Sequence, residues 1–177
     1  FPRIVGMVGF VQAGIEILEQ INENDLENVH IVGVAGRSLA GLIIAAKSMG
    51  LDWKFTGVTV NYDVPLSEYI FDHNKDIQEL LDLPVTFEKS DMRILDQYVG
   101  EGYGVLSPQV AEAIHIAAQT DAIICDPNYT GTAMAALIDQ VEEGGLSDDE
   151  TIIFLHTGGL PAVFTFADQL AAFKGSV

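Results

Sequence analysis

The sequence predicts an α/β protein: a mostly parallel, open sheet with helices covering both faces. Short β-branched apolar runs alternate along the chain with longer stretches of helical periodicity. Those runs are apolar on both faces, as strands buried in a parallel sheet are. Glycine, proline and asparagine cluster where strand gives way to helix, so each unit is punctuated in the manner of a βα repeat.

The elements follow in order. Residues 6–21 ("GMVGFVQAGIEILEQI") set Val8, Val11, Ile15, Leu18 and Ile21 at helical spacing, with Glu16, Glu19 and Gln20 on other faces. A strand is expected at 29–36 ("VHIVGVAG"), stopped by glycine. "RSLAGLIIAAKSM" (37–49) is small and apolar all round, which predicts a well-buried helix ending at Gly50. "WKFTGVTV" (53–60) alternates as a strand does. Residues 65–83 start with proline and keep an apolar stripe through Ile70, Leu80 and Leu81, a third helix. A short edge strand is expected at 84–88 ("PVTFE"). Ser107 is an N-cap, with Pro108 at the first helical position of 108–120. "DAIICDP" (121–127) predicts another buried strand, 130–144 a helix, and 150–156 ("ETIIFLH") the last strand. No internal repeat, low-complexity tract or linker interrupts residues 1–177, so one α/β domain is expected.

Composition bounds the function. Of 177 residues 49% are hydrophobic, enough for a real core. Acidic residues outnumber basic ones 26 to 8, for a net charge of −18. Such a surface repels nucleic acid, whose binding needs Lys and Arg on phosphates. It also fits a protein adapted to high salt, where self-repulsion is screened. No apolar run approaches bilayer length, and no signal-peptide pattern opens the chain, so no membrane association is expected. The single cysteine, Cys125, excludes an internal disulfide framework and a thiolate metal site. A cytoplasmic protein is expected. The chain opens on Phe1 rather than Met, as a processed product or part of a longer protein would.

In open parallel sheets ligands bind beyond the carboxyl ends of the strands. Three turns there stand out. In "GVAGRSLAG" (33–41), Gly36, Arg37 and Ser38 offer backbone amides and a hydroxyl at a helix N-terminus, a ready phosphate site. It is neither a Walker loop nor a dinucleotide fingerprint, and a tight turn with packing glycines explains it equally well. In "DPNYTGTAM" (126–134), Tyr129 can stack on a planar ring or act as an acid or base; Thr130 can equally be a plain N-cap. In "HTGGLP" (156–161), Thr157, Gly158 and Gly159 follow a histidine that by itself is an ordinary strand-end residue. Together the three turns would surround a flat, phosphorylated ligand.

"GFVQAGIEILEQ", "GRSLAGLIIAAKSMG", "EGYGVLSP", "CDPNYTGTAMAAL" and "FLHTGGLPAVF" resemble, in that order, the C-terminal half of the 1-aminocyclopropane-1-carboxylate (ACC) deaminase and D-cysteine desulfhydrase family. The resemblance implies a pyridoxal-phosphate enzyme of the tryptophan synthase β-like fold (fold type II), here the larger-domain portion. It implies that Ala35, Gly36, Arg37 and Ser38 form the cofactor-phosphate loop, where Arg37 and Leu39 replace the family's usual small residues. Tyr129 matches a tyrosine implicated in catalysis. Thr130 and Thr157, with Gly158 and Gly159, match positions facing the ring and substrate. Threonines at both positions fit the desulfhydrase-like members, since a neutral hydroxyl at the ring nitrogen suits β-elimination better than ring opening. Thr132 departs from the lysine often found there. The family's covalent anchoring lysine lies in the N-terminal half; Lys47, Lys54, Lys75, Lys89 and Lys174 stand in none of the matched motifs. The resemblance therefore implies a small amino-acid substrate, the missing N-terminal half as partner, and a homodimer. The competing expectation is a non-catalytic domain that binds a phosphorylated ligand or a partner chain.

Overall fold

The computed structural model describes residues 5–61 and 74–175. Helix α1 (Val5–Glu23) leads into strand β1 (Val29–Val34), helix α2 (Arg37–Ser48) and strand β2 (Lys54–Val58). Helix α3 (Asn74–Leu81), a 3-10 turn at Lys89–Asp91 and strand β3 (Arg93–Leu95) follow. Then come α4 (Pro108–Asp121), α5 (Thr130–Glu142) and β4 (Thr151–Phe154). A 3-10 stretch, Leu160–Phe166, and α6 (Ala167–Ala172) close the described chain.

The strands pair in the order β3-β2-β1-β4, all parallel. The chain thus builds outward on one side of β1, then returns to add β4 on the other. That reversal leaves a crevice at the carboxyl ends of β1 and β4, which is where open sheets bind ligands.

Helices cover both faces, as the both-sides-apolar strands require. On one face Val29, Ile31 and Phe55 pack against Leu39, Leu42 and Ile43 of α2, with α1 behind. On the other, Val58 and Leu95 meet Ala133 and Ala136 of α5, and the cluster continues between α4 and α5. Helix α2 lies between sheet and α1, so Leu39 through Ala46 are all buried. Each of its fully buried Leu and Ile side chains contributes about 1.5–3 kcal/mol. Small residues let the two helices touch: a Cβ on Gly41 would sit 2.5 Å from the Met7 carbonyl oxygen, and one on Gly14 would overlap Ala45.

Several expectations change. Helix α1 buries Ile21 as expected, but earlier in the helix it buries Met7 and Gly14 rather than Val8 and Ile15, and leaves Ile15 exposed. The close approach at Gly14 and Gly41 sets this rotation. No strand forms at 84–88. Glu88 instead opens a capping box, its amide bonded to Asp91 Oδ2 at 2.6 Å, and only after that turn does the chain pair with β2 as Arg93–Leu95. Residues 121–127 also stay out of the sheet. The Ile123 amide bonds back to the Ala117 carbonyl (3.1 Å), the Ile124 carbonyl accepts from the His156 ring (3.0 Å), and the Asp126 amide donates to Thr130 Oγ1 (2.8 Å). Those groups are thereby withdrawn from any ladder. The helix expected at 65–83 is described only from Asn74; Pro65 and Ile70 lie outside the described residues, and Leu80 faces solvent. Ser107 caps α4 as expected, accepting from the Val110 amide at 3.2 Å.

Candidate functional site

A cavity of about 940 Å³ opens at the carboxyl ends of β1, β2 and β4. Three walls come from the three glycine-bearing turns. Ala35, Gly36, Arg37 and Ser38 form one, Tyr129 with Asp126 the second, and Thr157, Gly158 and Gly159 the third. Phe10 of α1, and Val60 and Asn61 beyond β2, complete it.

The first wall is the start of α2. Gly36 is its N-cap and, having no side chain, supplies no side-chain cap to the first turn. A Cβ on Gly36 would meet only the Val34 carbonyl oxygen, at 4.0 Å, so the cavity comes right up to the backbone there. Ala35 contributes differently from its neighbours. Its amide extends the sheet, bonding Val58 O at 2.8 Å, so it shapes the wall but donates nothing to a ligand.

Asp126 organises the second wall. Its Oδ1 accepts from the Thr130 amide and the Thr130 hydroxyl, both at 2.8 Å; its Oδ2 accepts from the Asn128 and Tyr129 amides, both at 3.0 Å. A carboxylate taking three amides at a helix start caps α5 and suits the positive end of its dipole. Thr130 is therefore fully buried, and its hydroxyl turns to Asp126 rather than to the cavity. Of the nine residues expected at the site, Thr130 is the one that the structure does not bring to the cavity wall. Nor is it the N-cap: Tyr129 occupies that position and the cap comes from Asp126.

Tyr129 is 41% exposed at the cavity mouth. Its hydroxyl lies 2.7 Å from that of Tyr103, and the rings meet edge to face at 5.7 Å. The Tyr103 hydrogen bond, helped by burial, pushes the Tyr129 phenol up to about 12. At neutral pH it keeps its proton, so it serves as a donor or acid and not as a phenolate base. Tyr103 was missed in the sequence because nothing local links it to Tyr129, 26 residues away; Asp126, Phe10, Val60 and Asn61 were missed likewise. Only "EGYG", with positive φ at Gly102 and Gly104, marked that loop as unusual.

The third wall depends on Gly159 (φ +89°), where a Cβ would sit 2.5 Å from Asp126 Cγ. Two walls touch there. His156 braces the turn from outside: its Nε2 donates to Ile124 O at 3.0 Å, which leaves Nδ1 to accept the Gly158 amide, a long contact of 3.4 Å. Thr157 and Gly158 face the cavity, and a Cβ on Gly158 would meet nothing within 4 Å.

The family model described as "Pyridoxal-phosphate dependent enzyme" matches residues 3–158. The chain belongs to the pyridoxal-phosphate dependent enzymes. Among the relatives of this family member are D-cysteine desulfhydrases of Salmonella typhi and Salmonella newport, each 33% identical over 92% of the chain and 49% of the relative. The crystal structure of an ACC deaminase homologue superposes with a TM-score of 0.83 at 29% identity, covering 96% of this chain and 50% of that one. A threonine deaminase from Solanum lycopersicum shares the fold, with a TM-score of 0.57 at 16% identity over 96% of this chain and 50% of its own. The chain thus spans about half the length of these relatives. The fold is that of the type II pyridoxal-phosphate enzymes, as the resemblance implied.

The residues present fit the cofactor. An uncapped helix start with bare glycine backbone suits its phosphate, and the cavity is in the size range of small-molecule sites. Among the described residues no cluster of His, Cys, Asp or Glu could hold a metal ion, and no helix is long and apolar enough to cross a membrane.

Proposed function

We propose that the intact protein is a pyridoxal-phosphate-dependent lyase or deaminase for a small amino acid. D-cysteine is the favoured substrate and 1-aminocyclopropane-1-carboxylate the next. The products are a 2-oxo acid and ammonia, with sulfide from D-cysteine. This chain, as one α/β domain over 1–177, is its C-terminal, cofactor-cradling part. The observation that carries the proposal is the meeting of an uncapped helix start, a protonated tyrosine and a glycine turn around one cavity.

Bound pyridoxal phosphate supplies the electron sink for the pair left at the substrate α-carbon. The chain's own residues bind, orient and hold protons around it. Gly36, Arg37 and Ser38 take the phosphate, with Ala35 shaping the loop's approach. Thr157, Gly158 and Gly159 form the wall beside the ring. Tyr129 holds a proton at Oη, where it donates to the substrate's carboxylate or leaving group, and Tyr103 keeps it there. Thr130 acts through Asp126, fixing the turn that presents Tyr129.

Lys47 and Lys54 are tied to Asp91 and Glu150, away from the cavity, and neither Lys89 nor Lys174 lines it. The covalent anchoring lysine is accordingly assigned to the part of the relatives that this chain does not span. A homodimer working in the cytoplasm completes the proposal. The test is to load the full-length protein with pyridoxal phosphate and supply D-cysteine, then ACC. Sulfide and 2-oxo acid in equal amounts from D-cysteine support it. A loaded protein that releases 2-oxo acid from neither compound refutes it.

A further inference from the structure

The chain from Gly100 to Ser107, between β3 and α4, borders the cavity mouth and is held there by little. Tyr98 and Val99 are buried before it, and Val110 and Ala111 of α4 after it. Between these anchors Gly100, Glu101, Tyr103, Gly104 and Val105 are all exposed. Gly100, Gly102 and Gly104 have positive φ (+63°, +139° and +83°), and a Cβ on Gly102 or Gly104 would meet nothing within 4 Å. One on Gly100 would lie 3.7 Å from Ser107 Cβ, so the two ends of the loop touch. A compact surface loop with its ends together is an Ω-loop. Such a loop can lift on its neck without moving the elements it joins.

Among the described residues, 100–106 make one side-chain hydrogen bond, between the Tyr103 and Tyr129 hydroxyls at 2.7 Å. One backbone bond forms within the loop, from the Val105 amide to the Gly102 carbonyl at 3.2 Å. A cleft of about 10 Å³, room for about one water, lies under the loop against Val60, Pro127 and Asn128. Val60 also lines the site cavity. Exposed backbone and few buried contacts mark a segment that opens at low free energy.

We propose that residues 100–106 are a gate at the cavity mouth, hinged at Gly100 and Ser107 and latched shut by the Tyr103–Tyr129 hydrogen bond. The proposal rests on the cavity being the cofactor and substrate site. Opening clears a way past Tyr129. Closing shuts water out beside Tyr129 and restores the hydrogen bond that is the first cause of its phenol's rise to about 12. The proton at Tyr129 Oη is therefore secured in the latched state, when a substrate is enclosed.

The test uses full-length protein freed of cofactor, with pyridoxine 5′-phosphate as a ligand that needs no covalent lysine. Hydrogen exchange read by mass spectrometry reports loop opening, and stopped-flow fluorescence of the ligand reports its association and dissociation rates. Two variants loosen the gate by different routes. Gly104→Ala meets no neighbour but strains the backbone at φ +83°, and should raise exchange at 100–106 about 5- to 30-fold. Tyr103→Phe removes the latch, and should raise it about 2- to 12-fold. Exchange in β3 and α4 should stay as in wild type. In both variants association and dissociation should quicken by one common factor and leave the dissociation constant in place, because a gate alters access and not contacts. Unchanged loop exchange in both variants overturns the proposal, as does faster exchange with unaltered binding rates. Weaker affinity through dissociation alone overturns it too, because the loop would then be a ligand contact. Those three outcomes leave the cofactor reading standing. A wild type that binds no pyridoxine 5′-phosphate overturns that reading, and the gate with it.

Discussion

Gly159→Ala tests how the cavity is held open. The residue sits at φ +89°, a backbone region that costs an L residue about 1–2 kcal/mol. The new Cβ would lie 2.5 Å from Asp126 Cγ and 2.6 Å from Oδ1, far inside contact distance. Asp126 cannot yield freely, because its two oxygens hold the Thr130 amide and hydroxyl and the Asn128 and Tyr129 amides. Turning it away leaves buried donors unmatched, about 1–3 kcal/mol. Together the substitution should destabilise by about 2–5 kcal/mol. Urea unfolding of Gly159→Ala, Asp126→Ala and the double variant separates the terms. Asp126→Ala removes the two atoms that the new Cβ strikes most closely, so the double variant should cost about 1–3 kcal/mol less than the sum of the singles. Strict additivity would refute the idea that Gly159 is needed for the approach to Asp126. Its role would then be backbone conformation alone.

Other outcomes follow from the same geometry. Glu150 is pulled from 4.5 down to about 2 by its hydrogen bonds to Lys54 and His30. A depressed carboxylate stabilises the fold above its unfolded value and loses that contribution as pH falls through the folded one, so stability should decline between about 4.5 and 2. Glu150→Gln should flatten that decline in melting temperature against pH; an unchanged acid limb would contradict it. Tyr103→Phe removes the main cause of the raised Tyr129 phenol, and ultraviolet titration should show that group ionising below its present value of about 12. Leu42, fully buried between sheet and α1, should cost about 2–5 kcal/mol on change to Ala, read from urea midpoints.

The parts of the site that were legible in the sequence are those whose chemistry is local. A glycine before a helix, as at Gly36, leaves amides bare whatever else the chain does, and Gly158 and Gly159 can be read the same way. Thr130 was misplaced because a threonine at a helix start has two outlets, outward to a ligand or inward to a carboxylate. The choice is made by Asp126, four residues earlier, which was read only as the end of a strand and the start of a turn. That strand was itself a misreading of local pattern. "AIIC" is apolar and β-branched enough for a ladder, but its backbone bonds to α4 and His156, and the next amide, that of Asp126, goes to Thr130.

The sequence by itself determined the alternation of strands and helices, the both-faces burial, the all-apolar α2 and the three turns that carry the cavity. These depend on side-chain periodicity and backbone freedom, which act over a few residues. Only the tertiary structure decided the order β3-β2-β1-β4, and with it that the turns after β1 and β4 share one crevice. It alone set Tyr103 against Tyr129, Asp126 against Gly159, and Arg37 in the wall of a cavity within a strongly acidic molecule. Those are pairings across the fold, and a hydrogen bond or a close approach between distant residues exists only once packing has brought them together.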